Sequence, residues 1–231
     1  MNTAGPFSLS FDPSLRGGRL RAAIVWARGM RGCPKTESVP AYLAALLERV
    51  RATGEAYLSL ERKAAVRDML RHGTYKPAGR AKPSSEYLLA AALADDFPLV
   101  NGPVDANNAV SLEWGYPASV FDAAKTGSEL LLRLGAAGEA YVFNPSGQEI
   151  ELGDLIVVCR RSGEGWEPCG NPVKDAMATK VFEDAEEVVA VVYAPSSEGP
   201  ERLESCASRF RELLEAQCGA ADSGYAIAEG T

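Results

Sequence analysis

The run LRAAIVWA, from Leu20 to Ala27, is apolar and β-prone, the pattern of a buried strand. Leu43, Leu46, Leu47 and Val50 then recur at helical spacing between Pro40 and Gly54, which predicts a helix over 39–52. A second helix is expected over 60–72, with Ala64, Ala65, Met69 and Leu70 inward and Gly73 as its stop, and a third over 85–93. Beyond Asp122 the period shortens. SELLLRLG, EAYVF, DLIVVCR and EVVAVVYA are short apolar runs separated by Gly- and Asn-rich turns, as in antiparallel β-structure. A last helix is expected over 201–217, with Leu203, Cys206, Phe210, Leu213 and Leu214 on one face. The small, polar residues 219–231 read as a disordered tail, and residues 1–18 as an arm with turns at Asp12-Pro13 and Gly17-Gly18. The expectation is one α+β domain over 1–218, with a mainly antiparallel, barrel-like β core decorated by helices.

Between the third helix and the first of these later strands lies VDANNAVSLEWGYPASVFD, residues 104–122, the densest group of polar residues with restricted geometry in the chain. Asp105 reads as an N-cap, 106–114 as a short helix and Gly115 as its stop. Asn107 and Asn108 would then sit in the first turn, among backbone N–H groups with no intrahelical partner. Such a spot suits a carboxylate, a phosphate or a developing oxyanion. The plainer reading is that these residues only cap a helix and shape a turn.

Composition narrows the picture. The chain has 231 residues, is 46% hydrophobic and 24% charged, and carries a net charge of −7, which argues against non-specific binding of nucleic acid over the whole surface. Locally the balance reverses: from Arg62 to Lys82 seven basic residues are opposed only by Asp68. Arg71, Lys76, Arg80 and Lys82 are the candidates from this stretch for contact with a phosphate backbone, the plain alternative being a solvated face. Five cysteines without a CxxC pair, and a single histidine, fit neither a zinc site nor a disulfide framework. No metal or cofactor is expected. His72 reads as capping the second helix rather than as a base. There is no run of about 18 apolar residues and no signal-like N-terminus, so no membrane partner and a cytoplasmic location are expected.

Taken together, Val104-Asp105, Asn107-Asn108, Leu112-Glu113, Gly115-Tyr116-Pro117 and Phe121-Asp122 resemble the central motif of the B3/4 domain of the phenylalanyl-tRNA synthetase beta subunit. The match is closer to free-standing B3/4 proteins, whose Pro-Ser-Ser run before a leucine-rich helix is similar to Pro83-Ser84-Ser85 here. In the synthetase this domain removes wrongly attached tyrosine from the phenylalanine tRNA. The resemblance therefore implies a trans-acting aminoacyl-tRNA deacylase with tRNA or aminoacyl-tRNA as partner. A non-catalytic RNA-binding module and a free amino-acid-binding protein are the alternatives. On this reading Asn107, Asn108 and Ser119 are the catalytic candidates, and Ser84, Ser85, Asp105 and Glu113 the substrate contacts. One of the two serines is expected to cap its helix and the other to point into the site. Ser119 stands where the synthetase domain has a histidine, and Val192 near the place of its substrate-recognising glutamate, so a substrate other than tyrosine is expected.

Overall fold

The computed structural model describes residues 2–3, 5–15 and 18–230; Gly17, half of the second turn expected in the arm, lies outside them. In chain order the strands and helices are β1 (Asn2–Thr3), β2 (Ser8–Phe11), β3 (Leu20–Arg28), α1 (Ala41–Thr53), α2 (Leu60–Leu70), α3 (Ser84–Leu93), α4 (Gly102–Trp114), β4 (Ala118–Asp122), α5 (Ala123–Thr126), β5 (Glu129–Leu134), β6 (Ala140–Val142), β7 (Glu149–Glu151), β8 (Ile156–Ser162), β9 (Gly165–Gly170), β10 (Glu187–Pro195), α6 (Pro200–Cys218) and β11 (Asp222–Glu229). The strands form a five-stranded sheet in the order β1-β2-β5-β8-β9, a four-stranded sheet β11-β3-β10-β4 and the hairpin β6-β7. Among the named strands every pairing is antiparallel except that of β2 with β5. This is the α+β, mainly antiparallel architecture expected.

The apolar runs become the central strands β3 and β10, which pair from Glu187↔Arg28 to Pro195↔Leu20. Successive residues of a strand point to opposite faces, and Ala22 to Ala27 and Val188 to Ala194 are buried without a break, so both faces are covered. Helices α2 and α6 pack on this sheet, and its side chains share a core with Leu9, Leu130, Leu132, Ile156 and Val158 of the larger sheet. A second cluster joins Leu43, Leu46, Leu47 and Val50 of α1 to Leu88, Leu89 and Ala92 of α3 and to Ala109 and Leu112 of α4. Helix α4 is thus a wedge, with Ala106 and Val110 in the sheet core and Ala109 and Leu112 in the helical one.

Two expectations are corrected. Residues 222–229, read as part of a disordered tail, form β11 along β3 from Asp222↔Arg28 to Glu229↔Arg21. Their small side chains carry little strand signal; the edge of β3 supplies the pairing, and Ala226 and Ala228 are buried. Helix α4 also begins at Gly102, four residues before the expected start at Ala106. Asn101 is the cap: its side chain accepts from the Val104 N–H at 3.1 Å, and Pro103 sits in the first turn, where its missing N–H costs nothing.

Candidate functional site

Against α4 and β4 lies a cavity of about 460 Å³, its third wall the stretch from Asn171 to Glu183. Ala118 and Val120 of β4 line it, with Val104, Asn107 and Asn108 of α4 and Ser84 at the start of α3. The motif that stood out in the sequence therefore supplies two of its sides. The helix ends at Gly115, which is left-handed at φ 73°; a Cβ there would press on Leu58 and Arg62. Tyr116 is fully buried, its hydroxyl donating to Glu198, which also pairs with Arg62. The Pro117 carbonyl accepts from the Tyr193 N–H at 3.0 Å, and β4 then pairs with β10.

The third wall is shaped by Asn171. Its Oδ1 accepts from the N–H groups of Val173 at 2.8 Å and Lys174 at 2.9 Å, and its Nδ2 donates to the Tyr141 hydroxyl, which in turn donates to the Lys174 carbonyl at 2.6 Å. This fixes a turn that presents Val173, Lys174 and Asp175 to the cavity. Gly170 makes room for it, since a Cβ there would lie 2.4 Å from the Phe121 ring and 2.7 Å from Asp175 Oδ1.

Asp175 is the group with the most unusual chemistry in the cavity. Its Oδ1 is buried without a hydrogen-bond partner among the described residues. Burial raises its pKa from 3.8 to about 7, against the opposing pull of hydrogen bonding from Ser119, the Lys180 ammonium, and the backbone N–H groups of Asn171 and Val120. Lys180, also on the cavity wall, is lowered by its own burial, with Asp175 acting the other way. Asp175 went unremarked in the sequence because nothing local tells a buried loop aspartate from a solvated one. The available signal was the turn cluster Gly170-Asn171-Pro172 just before it.

The expected site residues separate. Asn107, Asn108 and Ser84 line the cavity. Asn107 Nδ2 donates to the Ala118 carbonyl at 3.2 Å and to Asn108 Oδ1 at 3.4 Å, leaving Asn107 Oδ1 buried and unpartnered and Asn108 Nδ2 without a partner among the described residues. Both asparagines lie within the helix rather than in its first turn, so free backbone donors do not converge on them. Ser84 Oγ is buried with no partner among the described residues; its helix has Pro83 as N-cap, and neither serine caps it through a side chain. Ser85 is buried away from the cavity lining.

Asp105 is not a cap. It sits one turn into the helix, fully buried, accepting from the Thr36 hydroxyl and, at 2.8 Å, from the Val100 N–H; burial raises its pKa despite both bonds. Glu113 lies off the cavity, paired with Arg49 at 2.9 Å and Arg209 at 3.7 Å. Ser119 is behind the wall, its hydroxyl sharing a 3.0 Å hydrogen bond with that of Tyr193. Val192 is buried in β10, outside the lining.

Of the basic segment, Arg62, Lys63 and Arg67 are spent on Glu198, Glu55 and Glu86. Arg71, Lys76 and Arg80 are exposed, and Lys82 lies over the Tyr87 ring at 4.7 Å. His72 Nε2 bonds the Met69 carbonyl at 3.1 Å, the capping contact expected of it. Cys33 is in the cavity wall, but its thiol donates to the Ala185 carbonyl and burial pushes its pKa up to about 11, the opposite of an activated nucleophile. Among the described residues no helix is long and apolar enough to cross a membrane, and no group of three or more His, Cys, Asp or Glu is placed to hold a metal ion.

No curated protein matches the chain. Among solved structures, the chain is similar to the crystal structure of an N-terminal fragment of the phenylalanyl-tRNA synthetase beta-subunit from Pyrococcus horikoshii, at 11% identity and a TM-score of 0.48. That similarity covers 95% of this chain but 50% of the fragment, so the chain spans about half the fragment's length. The sequence profile of the B3/4 domain matches residues 75–198, from the loop after α2 to the end of β10, which takes in α4, β4 and the wall that carries Asp175. The chain belongs to the B3/4 domain family.

Proposed function

We propose that this protein hydrolyses the ester of an aminoacyl-tRNA, with the aminoacyl end held in the cavity between α4, β4 and the 171–183 wall. The supporting observation is Asp175: a carboxyl with a pKa of about 7 in a cavity of small-molecule size is half ionised at neutral pH, the condition for a general base. It would take a proton from the attacking water. Asn108 Nδ2, which has no partner among the described residues, would donate to the carbonyl oxygen as negative charge develops there. The attack forms a tetrahedral intermediate; its collapse breaks the ester bond, and the proton held by Asp175 goes to the departing ribose oxygen. No covalent enzyme intermediate is needed, which suits a cavity whose cysteine is kept protonated.

The walls also bear on the substrate. Val104, Val120, Val173 and Val181 give these walls apolar surface. An apolar aminoacyl group fits these surroundings better than a phenol. The test is a panel of aminoacyl-tRNAs incubated with the protein, with ester loss scored against buffer. Cleavage of one or a few species is expected; cleavage of none would overturn the hydrolase reading. One observation favours a non-catalytic amino-acid- or RNA-binding module instead: Ser119, in the place of the family histidine, is sealed behind the wall.

A further inference from the structure

The backbone on both sides of Lys180 is pinned. Thr179 is buried with its hydroxyl donating to the Cys169 carbonyl at 3.1 Å, and the Val181 carbonyl accepts from Asn101 Nδ2 at 3.1 Å. Between them the Lys180 N–H donates to the Met177 carbonyl at 3.4 Å, and the Lys180 carbonyl accepts from Lys125 Nζ at 2.9 Å. Lys180 thus has a fixed main chain, while its side chain lines the cavity.

What that side chain lacks sets it apart from the other half-buried lysines, Lys63, Lys82, Lys125 and Lys174. Lys63 pairs with Glu55 and Lys125 with Asp122, while Lys82 and Lys174 lie over the rings of Tyr87 and Phe143. Lys180 Nζ has no hydrogen bond, ion pair or ring contact among the described residues. An ammonium half out of water and held by nothing is costly, so burial favours the neutral amine and lowers its pKa, with Asp175 pulling the other way. The remaining charged groups of the lining do not offset this: Lys35 and Glu183 are exposed, and Lys174 is over its ring. A neutral lysine amine in an apolar hollow is a nucleophile towards carbonyl carbon. On the same wall stands a carboxyl, Asp175, whose Oδ1 also has no partner among the described residues.

We infer that Lys180 forms a reversible imine with a small, apolar aldehyde or ketone held in this cavity, with Asp175 relaying the proton. The Nζ lone pair forms the C–N bond as the carbonyl π pair moves to oxygen. Asp175 protonates that oxygen and recovers the proton from nitrogen. The C–O bond then breaks and water leaves; both its hydrogens come from the amine nitrogen, so no oxidant or reductant is needed. The inference goes beyond ester hydrolysis and does not depend on it.

The probe is butanal at pH 7 with sodium cyanoborohydride, which traps the imine as a secondary amine, in enough excess that imine formation limits the rate. Peptide mapping locates the label, and Lys76, exposed on the loop after α2, is the internal reference. In wild type Lys180 should be alkylated at least about tenfold faster than Lys76, a comparison that needs no variant. Asp175→Asn should slow the labelling of Lys180 by at least about tenfold and leave Lys76 unchanged. Lys180→Arg should lose the fast label and keep its thermal melt. Labelling of Lys180 no faster than Lys76 would overturn the inference, as would full speed in Asp175→Asn or a fast label that persists in Lys180→Arg. Fast labelling of Lys180 in a protein that cleaves no aminoacyl-tRNA would support the inference while removing the hydrolase reading.

Discussion

Replacing Asp175 by Asn should make the protein more stable at neutral and alkaline pH. The carboxyl has a pKa of about 7 in the fold against 3.8 as its ordinary value, so between these limits the folded protein holds a proton that the unfolded chain has released. Stability therefore falls as pH rises from 3.8 to 7 and stays at the lower level above that. Roughly three pH units at 1.36 kcal/mol each set a ceiling of about 4 kcal/mol on the cost of keeping this group ionised in the cavity. Asn has the same shape and no charge, so it removes that cost. Asp175 keeps an opening to the cavity, where solvent screens its charge, and a gain of about 2 kcal/mol in urea unfolding at pH 8 would agree with the account. Near pH 4.5 the two proteins should differ by no more than about 1 kcal/mol, because the wild-type carboxyl is still protonated in the fold and this pH is less than one unit above the 3.8 at which the unfolded chain releases its proton. If Asp175 were instead a settled partner of Lys180, the variant would be the less stable protein at pH 8. That result, with unchanged urea dependence, would refute the argument.

Two further substitutions separate capping from chemistry. Asn101→Ala should cost about 1 kcal/mol by removing the cap of α4, and Asp105→Ala about 1–3 kcal/mol by taking the acceptor from both the Thr36 hydroxyl and the part-buried Val100 N–H, both read by urea unfolding. Asn108→Ala should leave stability within about 0.5 kcal/mol, since its amide nitrogen bonds none of the described residues, yet lower ester hydrolysis by about 10²-fold, the loss typical of one oxyanion donor. An unchanged rate on the best-cleaved aminoacyl-tRNA would remove Asn108 from that role.

What could be read from the sequence followed the range of the interactions involved. The apolar runs that became β3 and β10, and the leucine spacing of α1 and α6, state their burial locally, and the structure agrees with them. Of the residues that the 104–122 motif singled out, Asn107 and Asn108 line the cavity. The errors came where a distant segment decides. Asp105 resembles a cap, but Thr36 and Val100 claim its carboxylate from outside the helix, and Asn101 takes the capping position. Strand β11 depends on the edge of β3, nearly two hundred residues earlier in the chain. Asp175 becomes unusual only because Gly170, Asn171 and β4 enclose it, and no local pattern encodes that enclosure.

The central claim is that Asp175 acts as a base on a water in this cavity. Its most direct test is the rate of hydrolysis of the best-cleaved aminoacyl-tRNA from pH 5.5 to 8.5, with the buffer rate subtracted, for wild type and Asp175→Asn. The wild-type rate should rise about tenfold per pH unit at low pH and level off near pH 7, while the variant should be at least about 10²-fold slower with no bend at that pH. A folded Asp175→Asn protein that keeps the wild-type rate and the same bend would contradict the account.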